Sequence, residues 1–196
     1  MKTTIYLFVP ALVLVVAMLY ACGEPAKGNN EQTAVSAYPD SIVKKGEYLV
    51  TIMGCNDCHS PKQMGPKGPE LVPGRMLSGY RESQPLPDFP ADALKKGFVV
   101  VGGDMTIAAG PWGISFAANL TPDETGIGNW TEAQFKNALT HGKYKGLDGG
   151  RPLMPPMPWQ NYTRMRNDDV KAVFAYLKSI PAVKNLVPAY RPAKRS

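Results

Sequence analysis

Three features of the 196-residue sequence predict a mainly α-helical fold threaded by long loops. Three segments carry apolar residues at helix spacing with capping residues at their ends. The stretches 60–90 and 142–165 between them are rich in Pro and Gly. The chain holds 19 Gly and 19 Pro, above the ordinary share of roughly 12% for the pair but short of the roughly 25–30% of low-complexity disorder. With 44% apolar residues, the chain can bury a core, and its length suits one domain with a tail. The formal charge is +6 with only 19% charged residues. No long basic run occurs, so nucleic acid is not an expected partner. Three cysteines are too few, and odd in number, for a disulfide scaffold.

Residues 1–22 read MKTTIYLFVPALVLVVAMLYAC. Lys2 is followed by an uncharged run from Thr3 to Gly23, the pattern of a secretory leader. A retained membrane helix is the alternative. Leu19-Tyr20-Ala21-Cys22 resembles the lipobox of bacterial lipoproteins. Residues 1–21 are therefore expected to be a signal peptide, with Cys22 lipidated at the start of the mature chain. Residues 22–39 have few large apolar groups and read as a flexible tether. The domain is expected over 40–182, with a basic C-terminal tail over 183–196.

The first helix is expected to be N-capped by Asp40 or Ser41 and to run to about Met53. Ile42, Tyr48, Leu49, Ile52 and Met53 give it an apolar side, and Gly46 permits close approach of another helix. It ends at Gly54 and delivers Cys55.

Cys55-Asn56-Asp57-Cys58-His59 is a C-x-x-C-H haem-attachment motif. Two thiols add across the two vinyl groups of a haem, and the adjacent histidine ligates iron. Three other chemistries fit less well. A redox dithiol follows a strand, whereas this pair follows a predicted helix. A zinc ion needs four ligands; Cys55, Cys58, His59 and His141 supply them on paper, but neighbouring Cys58 and His59 are ill placed for one tetrahedral ion. A disulfide between Cys55 and Cys58 closes a very small loop. One motif implies one covalent haem c. The carbonyl that orients His59 is expected among the prolines that follow it.

Residues 61–118 are a long insertion, in which Val99-Val100-Val101-Gly102-Gly103 reads as a short strand. Thr131 to Gln134 forms a capping box. It opens a helix to about His141, with Phe135, Ala138 and Leu139 inward and Gly142 as its stop. The last helix begins near Asn167, where Asp168 and Asp169 suit the N-terminal dipole. Val170, Val173, Phe174 and Leu177 form its stripe, and Pro181 ends it.

A second axial ligand is sought among Met, His and Lys. Of the nine methionines, Met1 and Met18 fall in the leader. Met154 and Met157 lie between Pro152, Pro155, Pro156 and Pro158, a stiff loop suited to holding a thioether. His141 is the rival. Trp112, Trp130, Trp159 and Tyr162 are candidate neighbours of the pocket.

Taken in order, Cys55–His59, Asn119-Leu-Thr-Pro-Asp with Gly126-Ile-Gly-Asn-Trp130, Met157-Pro-Trp159, and Asp169 with Ala175-Tyr-Leu177 resemble a family of bacterial mono- and dihaem c-type cytochromes. The resemblance covers roughly residues 41–182. It implies a class I cytochrome c-like fold, with Cys55 and Cys58 as attachment cysteines. It also implies His59 as proximal ligand, Met157 as distal ligand, and a crossing of terminal helices that sets Tyr176 or Phe174 on Gly46. Dihaem members repeat the module; this chain has one copy. Family members often serve as electron-transfer partners or subunits of periplasmic dehydrogenases.

An iron held by His and Met has no open position, and this ligation raises its potential. The expected role is therefore a non-enzymatic, lipid-anchored electron carrier at the periplasmic face of a membrane. It would act between a dehydrogenase or respiratory complex and an oxidase or other cytochrome acceptor. Lys62, Lys67, Lys143, Lys145 and Arg151 are expected around the haem edge, where positive charge speeds encounter with acidic partners. Two other readings stay open. One is a peroxidase-like enzyme or gas sensor with a displaceable Met157. The other is a haem subunit fixed in a dehydrogenase complex.

Overall fold

The computed structural model describes residues 38–193. The expected leader, Cys22 and most of the tether lie outside the described residues, as do 194–196. Helix α1 spans Asp40–Ile52 and helix α2 spans Cys55–His59. A hairpin follows, of β1 Lys62–Gly65 and β2 Gly68–Leu71, then helix α3, Ala91–Lys95. Strands β3 Val100–Val101, β4 Ile107–Gly110 and β5 Gly113–Phe116 come next. Helix α4 covers Glu132–His141, helix α5 covers Asn167–Ser179, and β6 is Arg191–Pro192. The fold is mainly helical, as expected, with five α-helices among the described residues. No helix among them is long and apolar enough to cross a membrane.

Helix α1 starts one residue earlier than its side-chain caps suggest. The Pro39 carbonyl accepts from the Ile42 and Val43 amides at 2.9 and 3.2 Å, and no side chain caps the helix. Asp40 instead sits in the first turn, where the positive end of the dipole favours it. The inward face also differs from the expected one. Tyr48 is 63% exposed and Ile52 59%, while Val50 is 1% exposed beside a buried Gly46. Leu49 and Met53 flank the core. The cause is the helix crossing. A Cβ on Gly46 would collide with the Ala172 carbonyl oxygen and stand 2.7 Å from the Tyr176 Cβ. The two backbones thus meet at Gly46, and the row containing Gly46 and Val50 turns toward α5. Tyr176 is the residue on Gly46, whereas Phe174 turns to Phe135 of α4, with ring centroids 5.3 Å apart. Lys45 of α1 adds an ion pair to Asp169 of α5 at 2.6 Å.

Helix α4 begins with the expected capping box. The Gln134 amide donates to Thr131 Oγ1 at 3.2 Å, and the Thr131 amide donates to Gln134 Oε1 at 3.0 Å. Gly142 ends the helix. The core is built where α1, α4 and α5 meet, from Val50, Phe135, Leu139, Val170, Val173, Phe174 and Leu177. Leu77 and Ile127 from the loops complete it.

The insertion is more structured than the one short strand expected. The strand at Val100–Val101 exists, and it is the edge of an antiparallel sheet ordered β3-β4-β5-β6. Strand β4 pairs with β5 from Ile107 opposite Phe116 to Gly110 opposite Gly113, and β5 pairs with β6 through Gly113 and Pro192. The expected tail thus belongs to the fold over its described part. Asn185 is only 3% exposed. Its amide group donates to the Ser78 and Tyr80 carbonyls at 2.7 and 2.8 Å, and its Oδ1 accepts from the Glu82 amide at 2.9 Å. Asn119, the first residue of an Asn-Leu-Thr sequon, is also buried, donating to the Val183 carbonyl at 2.8 Å.

Candidate functional site

Gly54 turns the chain through a left-handed conformation, φ 67°, between α1 and α2. That conformation suits a residue without Cβ. It starts the helical turn that carries Cys55, Cys58 and His59 directly after α1. Both cysteines are half-buried free thiols. Burial pushes the Cys55 thiol up to about 11, with Asp57 and Cys58 adding to the rise. Burial and then Asp57 raise Cys58, against a downward pull from Lys62. Among the described residues no three His, Cys, Asp or Glu side chains are grouped to hold a metal ion, so the zinc arrangement is not formed.

The His59 ring is oriented by one hydrogen bond. Nδ1 donates to the Ala118 carbonyl at 2.8 Å. A carbonyl can only accept, so Nδ1 carries the proton and Nε2 keeps its lone pair for a metal. Burial lowers the pKa of the ring, against the opposing effect of the Ala118 bond. The neutral imidazole is the ligating form. The orienting carbonyl is therefore not on a proline after His59 but on Ala118, at the end of the insertion. The His59 carbonyl in turn accepts from the Gly79 amide at 2.7 Å.

Met157 packs, half-buried, against the core cluster that Cys55 also touches, together with Met76, Leu120, Trp130 and Tyr162. Its loop is held at two points before Met157. The Leu153 amide donates to the Gly142 carbonyl at 2.7 Å, and Ser115 Oγ of β5 donates to the Pro155 carbonyl at 2.5 Å. Met154 is half-buried but is not among the residues on that cluster. His141 is exposed at the end of α4, with Nδ1 3.0 Å from Thr140 Oγ1. Of the three ligand candidates, the structure thus brings Met157 to the cluster that holds Cys55.

Of the expected aromatic neighbours, Trp130 and Tyr162 join the cluster. The Tyr162 hydroxyl is 3.4 Å from the Met53 carbonyl, and its pKa is raised by burial and then by Cys55 and Cys58. Trp159 instead covers Gly142, and Trp112 donates to Ser115 Oγ at 3.3 Å. Gly74, Met76, Ile180, Pro181 and Val183 line an apolar cleft, of which Ile180 belongs to the core cluster and Met76 packs against it.

The donor set suits covalent haem c: two neutral thiols separated by two residues, a histidine with Nε2 left for iron, and a thioether on the shared apolar cluster. Residues 43–181 match the family model described as Cytochrome c. The chain belongs to the cytochrome c family. It is an electron-transfer haem protein, and its family implies covalently bound haem c. It is similar to the fructose dehydrogenase cytochrome subunit of Gluconobacter japonicus, 32% identical over 148 residues, which covers 75% of this chain and 23% of that protein. It is also similar to the gluconate 2-dehydrogenase cytochrome c subunit of Pantoea cypripedii, 30% identical over 138 residues, covering 70% and 23%. A third relative is the cytochrome c subunit of the quinone-dependent alcohol dehydrogenase of Gluconacetobacter polyoxogenes, 28% identical over 148 residues, covering 74% and 24%. This cytochrome spans about a quarter of the length of each of these relatives.

Site residues that sequence reasoning missed share one property: they act through backbone groups or through folding at a distance. The Ala118 carbonyl has no side-chain signature. Ser115 lies in a four-residue strand whose alternation turns the small residues Gly113 and Ser115 inward rather than Ile114 and Phe116.

Proposed function

We propose that this cytochrome is a membrane-tethered monohaem carrier of single electrons, not an enzyme. The observation that carries the reading is the His59 ring, fixed by Ala118 with Nε2 unprotonated, in a fold that sets Met157 on the cluster touched by Cys55. Cys55 and Cys58 hold the haem covalently, and His59 and Met157 are its axial ligands. Bound haem supplies an iron that alternates between ferric and ferrous states. The chain keeps both axial positions filled, so substrate has no coordination site. The peroxidase-like reading calls for a distal acid–base group, and His141 lies exposed at the end of α4. The single C-x-x-C-H motif in the sequence supports one haem.

The leader-like residues 1–21 and the lipobox-like Cys22 support a lipid anchor. Residues 22–39 then act as spacer, and the protein works at the periplasmic face. The relatives' names support a dehydrogenase as electron donor, met either by diffusion or as a fixed subunit. An oxidase or a second cytochrome is the acceptor.

The test is the absorption spectrum of the full-length holoprotein in both redox states. A low-spin spectrum with the far-red sulfur-to-ferric-iron band is expected, lost in Met157→Ala and retained in Met154→Ala and His141→Ala. A high-spin native iron that binds carbon monoxide readily would remove the carrier reading. For the anchor, Cys22→Ser is expected to move the protein from the membrane fraction to the soluble periplasm. Continued membrane association of that variant would mean a retained helix.

A further inference from the structure

Lys62 stands three residues after His59, and its sequence position suggests a surface lysine. Its Nζ instead lies 2.6 Å from the Asp57 carbonyl, 3.1 Å from that of Ser60, 3.3 Å from that of Asp104 and 3.4 Å from that of Asn56. An ammonium has three N–H donors. Backbone carbonyls take all of them, and none remains for a partner's carboxylate. Asn56 and Asp57 lie between the attachment cysteines, and Ser60 follows His59. The late carbonyls of a helix end carry partial negative charge, so a cation is favoured there. The fourth carbonyl comes from the insertion. Asp104 is buried just before β4, with Oδ1 accepting from the Thr106 amide and hydroxyl at 3.0 and 2.8 Å. Its Oδ2 has no hydrogen-bond partner among the described residues.

We propose that Lys62 is a positioning residue that joins the insertion to the haem-attachment turn and holds a fixed positive charge there, raising the reduction potential of the haem. The proposal rests on the reading of Cys55, Cys58 and His59 as the haem site. Gaining an electron makes the iron less positive, so a nearby cation favours the reduced state. Partial burial strengthens that effect relative to water. The buried Asp104 carboxylate acts in the opposite direction.

The experiment is spectroelectrochemical titration of the full-length holoprotein, native and as Lys62→Gln, Lys62→Arg and Asp104→Asn. Gln keeps an N–H donor and removes the charge; Arg keeps both. The expected result is a lower midpoint potential in Lys62→Gln, a native one in Lys62→Arg and a higher one in Asp104→Asn. The salt dependence of oxidation by ferricyanide, an anion, is expected to keep its slope in Lys62→Gln, because Lys62 does not face partners. An unchanged potential in Lys62→Gln, or an equal fall in Lys62→Arg, overturns the proposal. If Lys62→Gln fails to retain haem, Asp104→Asn decides alone, and an unshifted potential there overturns it. Failure of the site reading is seen separately, as haem still covalently bound in the double variant Cys55→Ser, Cys58→Ser.

Discussion

Ser60 has no exposed surface and stands directly after His59. Its hydroxyl donates to Asn56 Oδ1 at 2.7 Å and accepts from the Leu77 amide at 2.7 Å. Leu77 itself is fully buried with a positive φ of 58°. One hydroxyl thus ties the attachment turn to the loop that supplies a core residue. Replacing it by Ala leaves the buried Leu77 N–H without an acceptor, at a cost of about 1–3 kcal/mol. Urea unfolding of Ser60→Ala against the native protein is expected to show this loss, and a midpoint shift worth under about 0.5 kcal/mol, the range of an ordinary surface substitution, would contradict it. Much of the candidate site was legible because its chemistry is carried by side chains at fixed spacing. Cys55, Cys58 and His59 declare themselves, and the prolines around Met157 mark it. Ser60 and Ala118 do not, because a buried serine and a backbone carbonyl look like any other until the chain is folded. Lys62 was legible as a charge but misread as exposed, since nothing in sequence shows carbonyls converging on it.

The pairing of α1 with α5 is the element that brings the attachment turn to the core. Its polar link is Asp169, held by Lys45 at 2.6 Å and Arg166 at 2.9 Å. The Asp169 carboxyl falls from 3.8 to about 2, first through the Arg166 hydrogen bond and then the Lys45 one. Between about pH 4 and pH 2 the unfolded chain therefore binds a proton that the folded chain resists. Stability contributed by Asp169 is full above this window and is lost as pH falls through it. Partly exposed pairs contribute roughly 0.2–1 kcal/mol each. Asp169→Asn is expected to lower Tm at pH 7 and to converge on the native Tm near pH 2. A gap that stays constant with pH would mean that the charge is not what matters. The helices were readable because capping and 3.6-residue spacing are local. The sheet was not. Strand β4 reads Ile107-Ala-Ala-Gly110, buried throughout and without alternation, and β6 contains a proline. What makes these segments strands is the neighbour each finds across the fold.

At the scale of the molecule, the positive residues divide into occupied and available ones. Lys62 is taken by carbonyls, and the Arg151 guanidinium lies over Tyr144 at 3.7 Å and toward Tyr190 at 5.1 Å. Lys67 and Lys145 remain exposed. Electron transfer with an acidic protein partner is expected to slow as ionic strength rises, because screening shortens the reach of these charges. Stopped-flow rates that stay flat with salt would remove the basic edge as a docking feature. The His59–Ala118 bond also separates two events in the life of the chain. The proposed attachment residues all lie within five consecutive positions, Cys55 to His59. The imidazole is aimed by the Ala118 carbonyl, and Arg191 and Pro192 add the edge strand beside β5, whose Ser115 holds the Met157 loop. A polypeptide cut before Arg191 would still carry the whole proposed attachment sequence, while lacking the strand that pairs with β5 beneath the Met157 loop. On the proposed reading, attachment belongs to the beginning of the chain's history and ligation to its completion.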